Sequence, residues 1–330
     1  MVYIYNEGKG SFFNMALEEY LFYKRADLRP LLLLWKNRST IVVGRNQNTI
    51  NEINSTYVRE NGIDVVRRLT GGGAVYHDKG NLNFTYITDV PSGGKVDFTP
   101  FIANVVNALE HFGVKAEYTG RNDITIDGKK FSGNAQVRHK NSLMHHGTIM
   151  YNSDLSVLSK SLNPSKQKLI SKGITSTKSR VCNLSEYLPK GVDLDVFKDR
   201  LIVEFNKSSE EDFTKYVLSG EEIAQVEAIA KEKYETWAWN YGKSPSYDIS
   251  NEKRFDFGTI QIQLLLDDGK IGEMYIFGDF FSKKDMENIC KALVGTKYNR
   301  ESVKKVLTQL DLSSYIDGMT VSKILLVMFV

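Results

Sequence analysis

Apolar positions along this chain follow two periods, and the periods divide it. Up to about residue 152, short apolar runs rich in β-branched residues dominate. Residues 2–5, 31–35, 40–43, 63–66, 83–88 and 145–151 each read as a strand. The runs 31–35 and 40–43 flank Lys36-Asn37-Arg38-Ser39 and predict a hairpin. A second hairpin is expected where residues 122–126 and 130–137 flank Asp127-Gly128, a favoured two-residue turn. Two stretches carry helical spacing instead. Ser11 is a candidate cap for a helix running through Phe22, with Ala16, Leu17, Tyr20 and Leu21 on one face. In residues 98–112 the side chains of Phe101, Val105, Ala108 and Phe112 recur on one face. Residues 53–61 are a further helix candidate. The strand 63–66 then delivers Arg67 and Arg68 to a glycine triplet.

From Leu155 to about residue 240 the pattern is mostly helical, crossed by a polar, Ser/Lys-rich link at 171–179. Residues 221–234 are the strongest helix there, with Glu221 and Glu222 near its N-terminus. Tyr241-Gly242-Lys243-Ser244-Pro245 ends this region with turn residues and is read as a domain boundary. Beyond it, residues 254–257, 259–266 and 271–277 predict a small antiparallel sheet with an Asp268-Gly269 turn. Helices at 284–293 and 301–310 follow. The expectation is an α/β (α+β) protein of two domains, residues 1–245 and 246–330. The first should hold a mixed sheet with helices packed outside, and the second is large enough for a core of its own.

Composition narrows the function classes. The 330 residues are 42% hydrophobic and 25% charged with net charge +3, too little to make nucleic acid the main partner. Cys182 and Cys290 are distant and lack metal-ligand spacing, which fits a reducing, cytoplasmic setting. The N-terminus has no basic, apolar signal pattern. The longest apolar run, residues 324–330, falls short of the ~20 residues that cross a bilayer, so it reads as a buried strand or helix end and no membrane is expected as a partner.

The chemistry gathers around Arg67-Arg68-Leu69-Thr70-Gly71-Gly72-Gly73-Ala74-Val75-Tyr76-His77-Asp78. Consecutive glycines are entropically costly and suit a backbone that must approach a ligand closely. Arginines beside exposed backbone N–H groups suit a phosphate or carboxylate. A plain glycine turn with solvated arginines accounts for the same local pattern. No complete Walker A or GxGxxG pattern is present, and Pro91-Ser92-Gly93-Gly94-Lys95 reads as a turn. On an extended strand Lys130 faces away from Lys129 and Phe131 and shares its side with Ser132; a solvated edge lysine is the alternative. The pair His145-His146 is more often structural than metal-binding at this spacing. Asp123 is either a turn-capping residue or a carboxylate for Mg²⁺. Cys182 is either a small buried hydrophobe or a nucleophile.

Taken in order, these pieces resemble one family, the two-domain bacterial lipoate–protein ligases. The resemblance covers nearly the whole chain. It runs through Asn14-Met15-Ala16-Leu17-Glu18-Glu19-Tyr20, Trp35-Lys36-Asn37, Gly44-Arg45-Asn46-Gln47, the glycine segment, and Gly80-Asn81-Leu82-Asn83-Phe84. It continues in Gly120-Arg121-Asn122-Asp123, Lys130-Phe131-Ser132-Gly133-Asn134-Ala135-Gln136 and His146-Gly147-Thr148. Tyr241 to Pro245 and Phe277-Gly278-Asp279-Phe280-Phe281 look like the accessory C-terminal domain. The fold implied is the biotin/lipoate ligase-like mixed sheet flanked by helices, with a smaller α+β C-terminal domain.

The reaction implied has two steps. Lipoate and MgATP give lipoyl-AMP and pyrophosphate, and a lysine of an apo lipoyl domain then takes the lipoyl group. Carriers of this kind are the acyltransferase (E2) subunits of 2-oxoacid dehydrogenases and the glycine-cleavage H protein. The resemblance implies that Arg68 and the backbone N–H groups of Gly73, Ala74, Val75 and Tyr76 meet the adenylate phosphate. It places Lys130 between the lipoyl carbonyl and the phosphate and makes Asp123 the metal candidate. His77, Asn81, His146 and Thr148 are phosphate or nucleotide contacts, and Val75 lines the tunnel for the lipoyl tail. Arg67, next along an extended chain, is expected to point away. The small domain is expected to rotate about the Gly242–Pro245 junction between the two steps. Two rivals stand beside this reading. One is an octanoyl or lipoyl acyltransferase working through a Cys182 thioester. The other is a lipoate-binding protein without catalysis.

Overall fold

A computed structural model describes residues 1–6, 8–91, 97–119, 122–163, 180–207, 213–242 and 247–329. The turn at 92–95, the dipeptide Gly120-Arg121, the link at 171–179 and most of the 242–245 junction lie outside these residues.

The strands are β1 (Val2–Asn6), β2 (Leu31–Trp35), β3 (Thr40–Val43), β4 (Asp64–Arg67), β5 (Val75–His77), β6 (Asn81–Asp89) and β7 (Glu117–Thr119). They continue with β8 (Asp123–Ile126), β9 (Lys129–His139), β10 (Ser142–Met150), β11 (Thr214–Lys215), β12 (Ile249–Phe255), β13 (Gly258–Asp267) and β14 (Lys270–Gly278). The main sheet has the order β11-β1-β2-β6-β10-β9-β8-β7. It is parallel where β1 meets β11 and β2, and antiparallel from β2 onward. Side chains alternate between two cores, as the pleat requires. Leu32, Leu34, Leu82 and Phe84 face the helices Thr99–His111 and Leu194–Asn206. Leu31, Leu33, Trp35 and Ile87 face the helix Ser11–Lys24 and the helical stretch through Tyr234.

The expected hairpin between residues 31–35 and 40–43 does not form. All five residues of β2 are buried, and both its edges are already paired, by β1 and β6. A strand covered on both faces and both edges has no place for β3. Instead β3 turns into a separate sheet of order β4-β3-β5. This small sheet has its own apolar cluster of Ile41, Val43, Ile63, Val65 and Tyr76, and it presents the glycine segment to the main sheet.

Other boundaries move for local reasons. Gly10, not Ser11, is the N-cap, because the Ser11 hydroxyl donates to Asp64 Oδ2 at 2.8 Å. The helix expected at 53–61 is two pieces, Thr49–Glu52 and Ser55–Glu60, split by Asn54, whose side chain caps the second. The Asp127-Gly128 hairpin forms with positive φ at both turn residues, as its type demands. The C-terminal apolar run belongs to a helix, Val321–Met328. Among the described residues no helix is long and apolar enough to cross a membrane.

The last unit is a three-stranded antiparallel sheet, β12-β13-β14, with the helices Glu287–Leu293, Arg300–Leu307 and Val321–Met328 closing one core. It touches the larger unit through the segment after β14. Gly278 N donates to Asn46 O at 2.7 Å, and Gly72 N to Phe280 O at 3.4 Å. Asn46 Nδ2 reaches Ser282 Oγ at 3.1 Å. The Phe281 ring packs on Phe98, with centroids 5.6 Å apart. A Cβ on Gly71 would stand 2.3 Å from the Phe280 carbonyl oxygen, so glycine is needed for this approach.

Candidate active site

Between the main sheet and the small sheet lies a narrow cavity of about 100 Å³. Arg68, Gly73, Ala74, Val75 and His77 line it from the small sheet and its glycine segment, and Lys130, Gly133, His146 and Thr148 from β9 and β10. Eight residues expected from the sequence thus meet in one place: Arg68, Gly73, Ala74, Val75, His77, Lys130, His146 and Thr148. Met15, Trp35 and Val42 add apolar walls. A larger cavity of about 340 Å³, between β14 and the helix Glu287–Leu293, is lined by none of the expected residues.

Tyr76 and Asn81 do not line this cavity, although for Tyr76 the expectation concerns its backbone N–H and not its ring. The ring of Tyr76 packs in the small sheet's own core, with its hydroxyl donating to Ser39 Oγ at 3.2 Å. Asn81 is buried, with its amide nitrogen on Asn83 Oδ1 at 2.9 Å. Asp123 does not line the cavity either, but its Oδ1 lies 2.8 Å from Nζ of Lys130, which does.

The geometry of Lys130 follows from a bulge in β9. Thr125 pairs with Lys130 and Ile124 with Ser132, so Phe131 is the extra residue. A bulge re-aims neighbouring side chains. Phe131 fills the core at 0% exposure while the ammonium of Lys130 folds back over Gly133, where a Cβ would come within 2.7 Å of Nζ. The expected companion Ser132 is buried, with its hydroxyl accepting from Asn134 Nδ2 at 3.3 Å, and does not line the cavity. The bulge, invisible in a period-2 pattern, separates it from Lys130.

The two arginines divide as expected in direction but not in solvation. Arg67 turns away from the cavity. Its guanidinium donates to the carbonyl oxygens of Gly44, Arg45, Gln47, Trp239 and Asn240 and to Thr49 Oγ1. Arg68 faces the cavity and fastens the glycine segment, donating to Gly71 O at 2.7 Å, Gly73 O at 2.9 Å, Val42 O at 3.1 Å and Thr70 Oγ1 at 2.9 Å. Neither has a carboxylate partner at ion-pair distance among the described residues. Burial lowers the pKa of each to about 10. An anion entering this cavity therefore meets a desolvated positive charge, where attraction is stronger than in water.

Glu18 and Thr70 do not line the cavity but hold two residues that do, His146 and Arg68, and the sequence pattern assigns neither Glu18 nor Thr70 a role. Glu18 Oε1 lies 2.8 Å from His146 Nδ1 and also accepts from Thr85 Oγ1. His146 Nε2 is 2.8 Å from Thr70 Oγ1, which accepts from Arg68 Nε. This run of hydrogen bonds ties helix Ser11–Lys24 through β10 to the glycine segment. The available signal was a glutamate among Met15, Ala16, Leu17 and Leu21, since a carboxylate on an otherwise apolar face is the informative kind of burial. His145, by contrast, points to the opposite core. It is held by Gln136 Nε2 at 2.9 Å and Asn134 Oδ1 at 3.1 Å, and burial drives its pKa well below the ordinary value.

Cys182 is no nucleophile here. It is 2% exposed in the main core, its backbone N–H donates to Lys130 O at 3.0 Å, and burial pushes its thiol up to about 11. A thioester route requires an accessible thiolate, and this one is neither.

Among the described residues no group of three or more His, Cys, Asp or Glu could hold a metal ion. A single carboxylate, Asp123, fits Mg²⁺ that arrives with nucleotide phosphates and keeps water ligands, and does not fit a resident all-protein site.

Comparison with known proteins identifies the family. Residues 11–206 match the family model "Lipoyl protein ligase A/B catalytic domain", and residues 244–328 match "Bacterial lipoate protein ligase C-terminus". Lipoate-protein ligase LplJ of Bacillus subtilis is 42% identical over 308 residues, covering 93% of each chain. The crystal structure of P. falciparum LipL1 in complex with lipoate superposes with a TM-score of 0.79 at 28% identity, covering 98% of this chain and 96% of that one. A lipoate-protein ligase A bound with ATP gives a TM-score of 0.62 at 27% identity, covering 73% of this chain and 98% of that one. The chain, with the fold and the site its residues build, belongs to the lipoate–protein ligase family.

Proposed function

We propose that this protein is an ATP-dependent ligase that activates lipoate as lipoyl-AMP and transfers the lipoyl group to a lysine of an apo lipoyl domain. The observation that carries the reading is the meeting of Lys130, Arg68 and the glycine segment in one cavity. In the first step a lipoate carboxylate oxygen attacks the α-phosphorus of ATP, and the bond to pyrophosphate breaks. Charge gathers on the phosphoryl oxygens, and fixed donors aimed at developing charge lower the barrier most. Arg68 and the N–H groups around Gly73, Ala74 and Val75 take that role, with Lys130 beside the acyl oxygen. Asp123 would hold a Mg²⁺ ion arriving with the nucleotide, and that ion would supply neutralisation of phosphate charge. In the second step the acceptor amine attacks the acyl carbon, which Lys130 polarises, and AMP leaves with the anhydride oxygen. Met15, Trp35, Val42 and Val75 supply apolar wall for the lipoyl tail.

We place the domain division at 245/246, which the family matches ending at 206 and beginning at 244 support. The small domain seals the glycine segment through Phe280 and Phe281. Acceptor entry requires those contacts to open, as domain closure does in other enzymes. Carriers of the E2 and H-protein kind, and a cytoplasmic setting consistent with two buried cysteines that form no disulfide, complete the reading.

The test is adenylate formation without acceptor. Protein, lipoate, Mg²⁺ and ATP should give AMP-linked lipoate, and Lys130→Ala should slow it by about 10²-fold or more. Near-normal turnover in that variant would refute the assignment of Lys130. Pyrophosphate release absent from the wild type would leave only the binding-protein rival.

A further inference from the structure

A chain of side-chain amides ends on His77 and fixes where its proton sits. Asn14 Nδ2 donates to the backbone carbonyl of Lys36 at 2.8 Å and to Asn37 Oδ1 at 2.8 Å. A backbone carbonyl cannot exchange donor for acceptor, so the end of Asn14 that faces it must be the NH₂ group. That same NH₂ meets Asn37, whose facing atom must therefore be oxygen. The opposite end of Asn37, its NH₂, lies 3.2 Å from His77 Nδ1. An amide nitrogen only donates, so Nδ1 must accept and carries no proton. A neutral imidazole then holds its single proton on Nε2. Asn6 Nδ2 donates to Asn14 Oδ1 and closes the far end of the chain.

The Nε2 end is left over. It is buried and has no hydrogen-bond partner among the described residues, yet His77 lines the cavity between Trp35 and Arg68. Asn14, Asn37 and His77 are each 2% exposed or less, so water does not compete for these bonds. Burial holds His77 neutral, lowering its pKa to about 3, and the neighbouring Arg68 and His146 act in the same direction. Buried donors without a partner are uncommon in native structures and call for an explanation; here the site supplies one, a ligand acceptor.

We infer that Asn37 is a positioning residue that locks His77 as the Nε2–H tautomer and so presets a neutral donor for an oxygen of the bound ligand. The identity of that oxygen, on the acyl phosphate of the adenylate, rests on the function proposed above; the tautomer does not. A neutral donor suits this place because Arg68 already supplies a desolvated positive charge, and a second cation beside it would be repelled.

Two measurements test this. In resting protein labelled with ¹⁵N-histidine, the His77 ring should show one protonated nitrogen, Nε2, and stay so from pH 8 to pH 5. A proton on Nδ1 in the resting wild type overturns the inference, whatever the enzyme turns over. Second, Asn37→Asp offers Nδ1 an acceptor in place of a donor and should bring a proton onto Nδ1. It should also lower kcat/KM for adenylate formation about 10- to 100-fold, the size of a lost hydrogen bond in a buried site. In a His77→Ala background the same substitution should cost less than 2-fold, because it acts through His77. Additive losses would show that Asn37 serves the fold instead. If Asn37→Asp folds poorly, Asn37→Ser carries the same cycle.

Discussion

Asp123 and Lys130 face each other across the β8–β9 hairpin, with Oδ1 and Nζ 2.8 Å apart and the two side chains 27% and 31% exposed. A pair this accessible contributes at most about 1 kcal/mol to stability. Its position matters more than its strength, because the ammonium proposed to meet the acyl phosphate is the one Asp123 now holds. Asp123→Asn should therefore leave the melting temperature within a few degrees of wild type. Adenylate formation should fall by about 10²-fold, with a higher Mg²⁺ concentration needed for half-maximal rate. Calorimetry and a Mg²⁺ titration of pyrophosphate release check both parts. An unchanged rate would make the pair a surface ornament of the hairpin.

Gly133 offers a sharper separation of fold from chemistry. A Cβ there would meet Lys130 Nζ at 2.7 Å and Cε at 2.9 Å, and its third contact, Thr148 Oγ1, is 3.9 Å away. The clashing group is the end of a flexible side chain, so the fold accommodates alanine by moving Lys130. Gly133→Ala should change stability by less than about 1 kcal/mol, while a misplacement of about 1 Å lowers the rate by about 10²-fold. Gly147→Ala is the contrast, since its Cβ would meet Asn134 Oδ1 at 2.4 Å and the Phe84 ring at 2.5 Å. That variant should lose stability first. If Gly133→Ala turns over normally, Lys130 is not held where the reaction needs it.

The arginine pair gives a ranking that depends on the measurement. Arg67 satisfies five carbonyl oxygens and a hydroxyl at 1% exposure, so Arg67→Ala strands buried acceptors and should destabilise by about 3 kcal/mol or more. Arg68→Ala frees Gly71 and Gly73 and removes the charge at the cavity, so its main effect should be on adenylate formation. Urea denaturation should therefore rank Arg67→Ala as worse, and turnover per folded molecule should rank Arg68→Ala as worse. The same order in both measurements would show that the two side chains have been given each other's roles.

These residues also mark how far the fold and the site are legible in the sequence. Opposite directions for Arg67 and Arg68 follow from the two-residue repeat of a strand. The burial of Arg67 does not, because its backbone and guanidinium partner, Asn240, is 173 residues away in a stretch read only as a helix end. Lys130 was legible because Phe131 had to be inside. Strict alternation puts Ser132 beside Lys130, but a bulge leaves no trace in an alternating pattern. The hairpin between β2 and β3 failed for a global reason: Leu31 to Trp35 is apolar at every position, the mark of a central strand, and a central strand has no edge to share. Local periods place elements well; pairing is decided by what else is buried beside them.

The buried histidines should make this protein acid-sensitive in a direction that can be worked out. His77 has its pKa lowered from 6.5 to about 3, and His145 lies well below its ordinary value. As pH falls through 6.5, the unfolded chain takes up protons on these rings while the folded chain does not. Stability is therefore fully present above pH 6.5 and is lost as pH falls toward 3, by up to about 1.4 kcal/mol per pH unit for each ring. Asp154 and Asp195, whose pKa values are lowered by hydrogen bonds and by Lys198 respectively, add loss of the same sign at lower pH. The histidine share is isolated with His77→Asn, whose Oδ1 can still accept from Asn37 but does not titrate. Urea denaturation at pH 6.5 and pH 4.5 should show the wild type losing about 2 to 3 kcal/mol more than the variant. Equal losses would mean that His77 is protonated in the folded state. The cavity would then carry an imidazolium beside Arg68, and the neutral-donor account of His77 would fail with it.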